Sequence, residues 1–511
     1  MNKHQQKRQP ISVGSDWTFD LINQYHEAIA NIAADFGLDT YPNQIEIINS
    51  EQMMDAYASS GMPLLYHHWS YGKQFLGIEN NYNRGQMGLA YEIVINANPC
   101  IAYLMEENSM TMQALVIAHA CYGHNSFFKG NYLFKTWTEA DSIIDYLLFA
   151  KNYIATCEQR HGVDAVEATL DSCHALMNYG VDRYKRPHPI SPEKEKKWQH
   201  RREEIMQQQV NDIWRTIPTG KSSSTQKTEK NFPGEPQENL LYFIEKNAPL
   251  LESWQREIVR IVRKIGQYFY PQRQTQVMNE GWACFWHYTI LNEMYDRGLV
   301  TDGFILEFLQ AHTSVIAQPG FDSPYYNGIN PYSLGFAMMI DIRRICENPT
   351  EEDREWFPDI AGSDWNKTLH FAMQNFKDES FIQQFLSPKV IRDLKLFCAL
   401  DDDHHDHIEI MAIHDNTGYR IIREQLAGQY NIGDREPNIQ VVNIDIRGDR
   451  SMHLQHYQHN RKPLNQDTLS VLQHLHQLWG FDIHLESLQD DQASSHYHYP
   501  EQNETQNIFN N

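Results

Sequence analysis

The sequence predicts a mainly α protein, α+β overall, in which a large helical N-terminal domain precedes a small α+β domain. Apolar residues recur at helical spacing through most of the first 395 positions. After about residue 398 the pattern changes to short alternating runs, and 511 residues are more than one core usually organises. We therefore expect domains at 1–395 and 400–490, followed by a disordered polar tail at 491–511.

The N-terminal domain is predicted to consist of helices with few strands. Ser15 and Asp16 are expected to cap the first helix. Residues 91–99 (YEIVINANP) alternate like a short strand that a proline ends. Residues 218–237 are rich in Ser, Thr and Pro without periodicity, which predicts a flexible loop. Helices are predicted at 14–37, 50–60, 111–123, 138–157, 163–180, 191–209, within 238–287, at 335–346 and within 364–398.

The small C-terminal domain is predicted from four alternating runs and one amphipathic segment. HIEIMAIHD, IQVVNIDIRG, SMHLQHYQ and DIHLES are typical of strands, and LNQDTLSVLQHLHQLWG is typical of a helix. We expect one helix packed on an antiparallel sheet. The run DDDHHDH at 401–407 has metal-ligand residue types, but a solvated linker is the simpler interpretation.

Composition excludes several classes of partner. The formal net charge of −23 disfavours a nucleic-acid or anionic-membrane binder, because phosphates would be repelled. Seven scattered cysteines are typical of reduced thiols in a cytosol. The N-terminus lacks an apolar signal region, and no run of about 20 apolar residues exists. We expect a soluble cytoplasmic protein without a membrane span.

The most informative stretch is residues 113–135, where an apolar run leads into His119 and His124. A spacing of five residues corresponds to about 140° on an α-helix, so the two rings would not share a face. A π-bulge, or a helix that ends at Gly123, would bring both rings round. The glutamate that HExxH metallopeptidases use as general base is replaced by Ala120. The alternative is a capping or core histidine pair.

Two further sets of residues have metal-ligand chemistry. Glu280 and His287 share a helix face about 10 Å apart along the axis, so one is expected to bind the metal and the other to lie beside it or contact substrate. Both are candidate catalytic residues. Glu167, Asp171 and His174 fall on one face of a helix, at spacings that bundle metal sites use. The alternative for this set is a polar helix face with a local Asp–His pair.

Polar residues near these motifs are candidates for substrate or partner contacts. Loops that follow a site helix often carry function. The histidine pair in the aromatic run PLLYHHWSYGK forms either a pocket wall or a core segment bonded to backbone. The candidate contact residues are His67, His68, Asn125, Lys129, Asn131, Asn327 and Asn330.

The layout resembles that of gluzincin peptidases, in which one helix supplies two His ligands and a later helix beginning Asn-Glu-Gly-aromatic-Ala supplies a Glu ligand. The corresponding residues are His119, His124 and Glu280, the last within the NEGWA run at 279–283. The resemblance implies a zincin-like N-terminal domain that holds zinc or another divalent metal. Ala120 and the unusual spacing depart from the pattern, so the resemblance implies a metal scaffold more than peptidase activity.

Several long segments are similar to the stage V sporulation protein R (SpoVR) family, in the long form found in proteobacteria. These segments are YEIVINANPCIAYLMEEN, AHACYGHNSFFKGNYLF, VEATLDSCHALMNYGVDRY, NEGWACFWHY and NGINPYSLGFAMMIDI. The resemblance implies a role in the cell envelope or spore cortex, a peptidoglycan layer, or in stress response. It also implies protein partners in a pathway with a PrkA-type serine kinase.

Two functions follow as expectations. In the first, metal-activated water attacks a carbonyl group, and one of the additional carboxylates replaces Ala120 as the base. In the second, the chain is a non-catalytic pseudoenzyme or adaptor that binds a protein in the same groove.

Overall fold

The structure is a computed structural model that describes residues 9–59, 61–84, 92–184, 197, 201, 232–400, 409–432, 436–459, 462–465, 467–489 and 492–500. Most of the charged helix predicted at 191–209, residues 218–231 of the predicted loop, and the run at 401–407 lie outside these ranges.

The described part of the chain is mainly helical, as predicted. The helices are α1 (Phe19–Asp35), α2 (Ser50–Ala58), α3 (Trp69–Asn83), α4 (Met110–Val116), a π helix (Ile117–His124), α5 (Asn125–Gly130), α6 (Tyr132–Trp137), α7 (Ile143–His161), α8 (Val163–Ala175), α9 (Leu240–Asn247), α10 (Ser253–Gln274), α11 (Gln276–Asp296), α12 (Asp302–Val315), α13 (Pro331–Glu347), α14 (Glu351–Trp356), α15 (Trp365–Asn375), α16 (Asp378–Phe385), α17 (Pro388–Asp393), α18 (Asn416–Gln429) and α19 (Thr468–Trp479).

Local sequence explains where these helices begin. The side chain of Thr18 accepts a hydrogen bond from the backbone N–H of Leu21 and caps α1, so the expected cap at Ser15 and Asp16 lies too early. The segment expected to be helical over 364–398 is divided into α15, α16 and α17, because new helices begin after the N-cap residues Lys377 and Ser387.

A three-stranded sheet lies beside the π helix. Its strands are β1 (Asn43–Ile48), β2 (Glu92–Ile95) and β3 (Cys100–Met105), in the order β1-β3-β2. β3 pairs parallel with β1 and antiparallel with β2. The predicted strand at 91–99 is confirmed as β2, which places Glu92 at the end of an edge strand.

Helix α11 crosses the middle of the larger core and packs against the π helix, α1 and α13. It approaches α13 so closely that a Cβ atom on Gly281 would lie 2.4 Å from the backbone of Gly335. Real Cβ contacts are never this short, so both positions require glycine. The crossing fixes the start of α11, where Glu280 lies.

The C-terminal sheet has the strand order β6-β7-β8-β9, with β6 (Asn438–Ile444), β7 (Met452–Tyr457), β8 (Ile483–Gln489) and β9 (Gln492–Tyr499). The antiparallel expectation is wrong for its central pair: β7 and β8 are parallel, because α19 crosses over between them. The segment expected as a disordered tail contains β9, which pairs with β8, whereas residues 501–511 lie outside the described ranges.

Two hydrophobic cores organise the described residues. The larger one surrounds α11 and includes Tyr419 and Leu426 of α18, so this helix packs with the N-terminal part. The second core joins α8, α9 and α10 to α19 and the C-terminal sheet. The short strands β4 (Cys398–Leu400) and β5 (Glu409–Ala412) pair next to α18. The four-stranded sheet thus begins at Asn438, later than the expected domain start at 400.

Among the described helices, none has both the length and the apolar composition that a membrane crossing requires.

Candidate metal centre

The π helix places His119 and His124 on the same side of the chain. In a π helix the hydrogen bonds run from i to i+5, so residues five apart lie one turn apart. The two rings have centroids 4.6 Å apart and stand nearly perpendicular, at 88°. The sequence allowed either a π-bulge or a helix that ends at Gly123, and the structure has the π-helical form.

Gly123 brings the π helix against α11. A Cβ atom at this position would lie 2.6 Å from the Cα atom of Ala283, so any larger residue would separate the two helices. At the start of α11, the carboxylate of Asp378 accepts hydrogen bonds from the N–H groups of Val277 and Met278. Glu280 is therefore held opposite the two histidines.

The three predicted metal ligands converge. His124 Nε2 lies 3.5 Å and His119 Nε2 lies 3.6 Å from Glu280 Oε2. One ligand atom from each of the three residues falls within 4.8 Å of the others, so the set could hold a metal ion. Glu280 Oε2 is buried and makes no hydrogen bond of ordinary geometry.

The orientation of His124 is fixed by its neighbour on α11. His124 Nδ1 lies 2.9 Å from Asn279 Oδ1. An amide oxygen is only an acceptor, so Nδ1 carries a proton, and in the neutral ring the lone pair of Nε2 faces Glu280. Two lone pairs facing each other at 3.5 Å repel, and a positive charge between them removes the repulsion.

Two residues that the motif search did not select complete this wall. Glu92 Oε1 lies 3.7 Å from His119 Nε2. Burial, opposed by His119 and reinforced by Glu280, raises the pKa of Glu92. The hydroxyl of Tyr332 donates a hydrogen bond to Glu280, whose negative charge, together with burial, raises the pKa of Tyr332.

Glu280 itself stays an anion. Burial alone would raise its pKa, but His124, His119 and the hydrogen bond from Tyr332 together hold the pKa below the usual value.

Behind His119 lies a chain of imidazole rings. His119 Nδ1 is 2.9 Å from His287 Nδ1, and His287 Nε2 is 2.7 Å from His312 Nδ1. Burial, with His119 and His312 adjacent, lowers the pKa of His287 well below the usual value. Burial and the nearby His119 lower the pKa of His312 to about 4. His287 therefore lies behind His119, one of the candidate ligands.

A second group of ligand types overlaps the first. His119, Cys284 and His287 also have ligand atoms within 4.8 Å of one another. All three residues are buried, whereas His124 and Glu280 line a cavity of about 600 Å³. A catalytic metal keeps one position open to its ligand, so the set that faces the cavity is the better candidate.

Glu167, Asp171 and His174 form a separate cluster. Glu167 and Asp171 lie 3.0 and 3.3 Å from Nε2 of His68, and His174 Nε2 lies 2.6 Å from the hydroxyl of Tyr66. Among the described residues this set is not one of the groups whose ligand atoms converge. His174 and Tyr66 line the same cavity as Glu280, so the cluster forms another part of the cavity wall.

Several predicted contact residues instead hold the protein's own chain. Asn125 bonds the backbone of Tyr41, and Asn131 donates to the carbonyls of Met373 and Phe376. Asn330 caps α13 and accepts from the N–H of Tyr332, so it positions that residue. Each side-chain amide donates both hydrogens within the protein, which leaves none for a ligand. Those partners are Tyr41 and Asn43 for Asn125, Met373 and Phe376 for Asn131, and Val315 and Ala317 for Asn330.

The other predicted contact residues have different positions. The ammonium group of Lys129 lies 2.5 Å from Asp39 and 2.9 Å from the carbonyl of Thr40. His67 is exposed and lines a neighbouring cavity of about 530 Å³. Asn327 is exposed on the loop before α13.

Sequence comparison identifies the family. The sequence model described as SpoVR like protein matches residues 16–435, and the model described as SpoVR-like C-terminal domain matches residues 437–490. The chain belongs to the SpoVR family. The predicted membership is thereby confirmed, and the first matched region of this SpoVR chain contains every residue of the candidate centre.

A curated relative of this SpoVR chain is the uncharacterized protein YcgB of Escherichia coli strain K12. The two sequences are 65% identical over 481 residues, which cover 94% of each chain. No solved structure matches the chain.

Four residues of the SpoVR centre escaped the sequence-based search for sites. Asn279 was quoted in the NEGWA run but had no assigned role. Glu92, His312 and Tyr332 lie on a strand and two helices far from the motif in sequence. A carboxylate at the second position of the predicted strand was the one available signal, and it is weak because edge-strand charges are common.

Proposed function

We propose that this SpoVR protein is a zincin-like, metal-dependent hydrolase of amide or related carbonyl substrates. The supporting observation is the pair of unshared acceptors that face each other at 3.5 Å, His124 Nε2 and Glu280 Oε2. When His124 is neutral, both acceptors are satisfied by a cation between them, and His119 Nε2 points to the same place.

The spacing of the ligand atoms fits a divalent metal. Ligands about 2.0–2.1 Å from a tetrahedral zinc ion are separated by about 3.3–3.4 Å. The measured separations of 3.5 and 3.6 Å need only a small contraction. Zinc or another divalent metal is therefore the proposed cofactor, held by His119, His124 and Glu280.

A metal bound there would supply a Lewis acid that polarises a carbonyl group and lowers the pKa of a water molecule. The chain's own residues supply the remaining chemistry. Glu92, beside His119, is placed to take the proton of the attacking water and return it to the leaving nitrogen. It would perform from a strand the task that a helical glutamate performs in HExxH enzymes. The two carboxylates considered for this task from sequence, Glu167 and Asp171, instead pair with His68.

Tyr332 and Asn279 orient the ligands. The Tyr332 hydroxyl holds Glu280 in place and remains protonated, since the adjacent carboxylate disfavours its ionisation. Asn279 fixes the tautomer in which His124 presents Nε2 to the cavity. Truncating either one should weaken the site without removing a ligand.

The cavity suits a substrate of several residues rather than a very small molecule. Its volume of about 600 Å³ lies in the range of ordinary ligand pockets. Apolar and polar side chains both line it, among them Glu280, Phe128, Phe269 and His174. An extended substrate with its scissile carbonyl near Glu280 would reach the Tyr66–His174 pair.

The cellular role that we propose follows from the family resemblance: envelope or spore-cortex formation, or stress response, with partners in a PrkA-type kinase pathway. Seven free thiols support a reducing, cytoplasmic compartment. Deleting the gene and analysing the peptidoglycan composition would test the envelope role, and an unchanged composition under stress would contradict it.

The metal is tested by elemental analysis of protein purified without chelator. About one zinc or other divalent ion per chain is expected, and less than about a tenth of an ion per chain would contradict the site. Glu280→Gln keeps the shape of the side chain but removes its charge, so it should lower the metal content strongly.

Hydrolysis is tested by incubating a defined peptide library with the metal-loaded protein and identifying new termini by mass spectrometry. Cleavage that stops on chelation and returns with zinc is the expected result. Full metal occupancy without any cleavage would contradict the hydrolase. It would favour the pseudoenzyme, for which Ala120 in place of the helical base is the supporting observation.

A further inference from the structure

The imidazole chain behind the metal ligands has a property that a single histidine pair lacks. His119, His287 and His312 are joined by two hydrogen bonds of 2.9 and 2.7 Å. All three rings are buried, with exposed fractions of 3%, 1% and 4%. The chain begins at a proposed metal ligand on the π helix, crosses α11 and ends on α12.

Each bond in this chain needs one N–H group and one lone pair. A neutral imidazole ring has one of each, on opposite nitrogens. His287 uses both of its nitrogens, so it donates to one neighbour and accepts from the other. Both hydrogen bonds therefore run from donor to acceptor in the same sense. The imidazole chain can adopt either of two opposite senses, and a change in one bond requires a change in the other.

The two directions present different faces of His119 to the site. When His119 donates to His287, its proton is on Nδ1 and the lone pair of Nε2 faces Glu280. When His287 donates to His119, the proton of His119 is on Nε2 and no metal can bind there. The direction of the hydrogen bonds along the imidazole chain thus decides whether His119 Nε2 is free to bind a metal.

We propose that His287 and His312 are positioning residues that hold His119 in its metal-binding tautomer, and that metal binding in turn fixes the direction of the whole chain. This inference rests on the proposed metal site. In the metal-bound direction His287 donates from Nε2 to His312 Nδ1, so His312 carries its proton on its outer nitrogen, Nε2.

The tautomer of His312 is set mainly by its hydrogen bond to His287, because its other neighbours are aromatic rings. The rings of Phe308, Tyr288 and Phe336 pack around it, with centroids 5.8, 5.0 and 4.7 Å away. These ring faces are weak acceptors compared with an imidazole nitrogen. A simple packing role would need an aromatic ring here, but it would not need two aligned hydrogen bonds.

Metal affinity separates positioning from packing. His287→Phe keeps a buried ring but removes both bonds, whereas His287→Gln retains an acceptor for His119 and a donor for His312. Loss of such a partner typically weakens metal binding about 10–100-fold. We expect that loss of zinc affinity, measured by competition with a chelating dye, in His287→Phe, and near-wild-type affinity in His287→Gln.

His370→Phe is the matched control, because His370 is another ring in the same core, packed on Trp282 and Trp286. Its affinity for zinc should equal that of the wild type. Equal affinity in His287→Phe, His287→Gln and wild type would overturn the positioning role alone. Absence of zinc binding to the wild type would overturn the proposed function and this inference together.

A second test uses the wild-type protein, so it does not require that a substituted protein fold correctly. Nitrogen NMR of protein labelled with ¹⁵N-histidine distinguishes the two tautomers of each neutral ring. In the zinc-bound protein His312 should carry its proton on Nε2, whether or not it already does so before zinc is added. A His312 that carries its proton on Nδ1 in the zinc-bound protein would overturn the inference.

Discussion

Two histidine arrays in this protein differ in how their rings meet. The buried chain joins His119, His287 and His312 through nitrogen atoms at 2.9 and 2.7 Å. Its rings are tilted by 40° and 88° to each other. The nitrogen atoms are therefore directed at partners, and the free Nε2 of His119 is directed at Glu280.

The second array lies on the outer face of the C-terminal sheet. His453, His484 and His498 are paired across β7, β8 and β9. Their rings stack with centroids 4.9 and 4.5 Å apart and are nearly parallel, at 13° and 26°. In stacked rings the nitrogen lone pairs lie in nearly parallel planes, so they do not meet at one point.

The comparison shows that convergence of lone pairs, rather than the number of histidines, distinguishes the candidate metal site. Within the described ranges, the groups with convergent ligand atoms both include His119, and neither includes a residue of the surface row. Helices that cross tightly at glycines can aim side chains at one point, whereas a flat sheet holds them side by side.

The largest expected difference between the arrays is in metal content. His124→Ala should reduce the zinc content to below about a tenth of the wild-type value, because one of three ligands is lost. His484→Ala, the control in the surface row, should leave the content unchanged. Elemental analysis of both variants measures the zinc content. A loss of zinc in His484→Ala alone would place the metal site in the surface row instead.

Glu92→Gln is expected to have the next largest effect, on turnover. Loss of a general base typically costs about 10²–10⁴-fold in rate. The metal content should persist, because Glu92 is not among the three ligands. Cleavage of the peptide substrate and metal content are measured on the same sample.

Glu486→Gln is the corresponding change beside the surface row, where Glu486 lies 3.9 Å from His496. It should leave the rate unaltered. Wild-type turnover in Glu92→Gln would require another base.

Gly281→Ala should break the crossing that the buried array depends on. The added Cβ would lie 2.4 Å from the backbone of Gly335. Overpacking of this kind costs about 1–3 kcal/mol in the free energy of unfolding.

Gly77→Ala on the exposed helix α3 is the control. Its new methyl group would meet no atom within 4 Å, and it should stabilise by about 0.5–1 kcal/mol. Urea denaturation of both variants gives the difference. Equal stability of Gly281→Ala and wild type would mean that the helices separate freely.

Acidification should destabilise both arrays, and the contribution of the surface row should be the smallest of these effects. Burial, then His453 and His498, lower the pKa of His484. Below the unfolded pKa of about 6.5 the unfolded chain therefore binds more protons than the folded one. The stability that the neutral ring contributes is complete above that pH and falls as the pH drops toward the folded pKa.

His484→Gln should flatten this pH dependence, which thermal unfolding between about pH 5 and about pH 8 would measure. Asp449 and Asp482 lie near the ring and oppose the shift, so the slope is expected to be shallow. A slope that is identical in the variant and the wild type would place the titration elsewhere.

The sequence alone identified the residues of the centre that belong to local motifs. His119 and His124 lie on one helix, and Glu280 lies in a recognisable run, so residue type and spacing suffice to select them. Glu92 and His312 could not be selected, because their roles arise only from how a strand and a third helix pack around α11. Whether the selected residues bind a metal stays a prediction.

The fold shows the same division. Helices α1 and α19 were predicted because amphipathic periodicity is local. The strand β9 was missed because its segment is polar, and the parallel pair β7–β8 was missed because strand direction depends on the crossover of α19. Pairing partners are set by contacts between distant parts of the chain, which composition does not record.

The π helix makes the centre dependent on a residue count. A standard α-helix would need its two histidines four positions apart, but this chain reaches the same side with five. Removing one residue between His119 and His124 would let the segment relax into an ordinary α-helix with the standard interval. A single-codon deletion in this stretch would therefore change the helix type while it preserves the pair of rings, whereas the same deletion in any neighbouring helix would rotate its whole buried face away from the core.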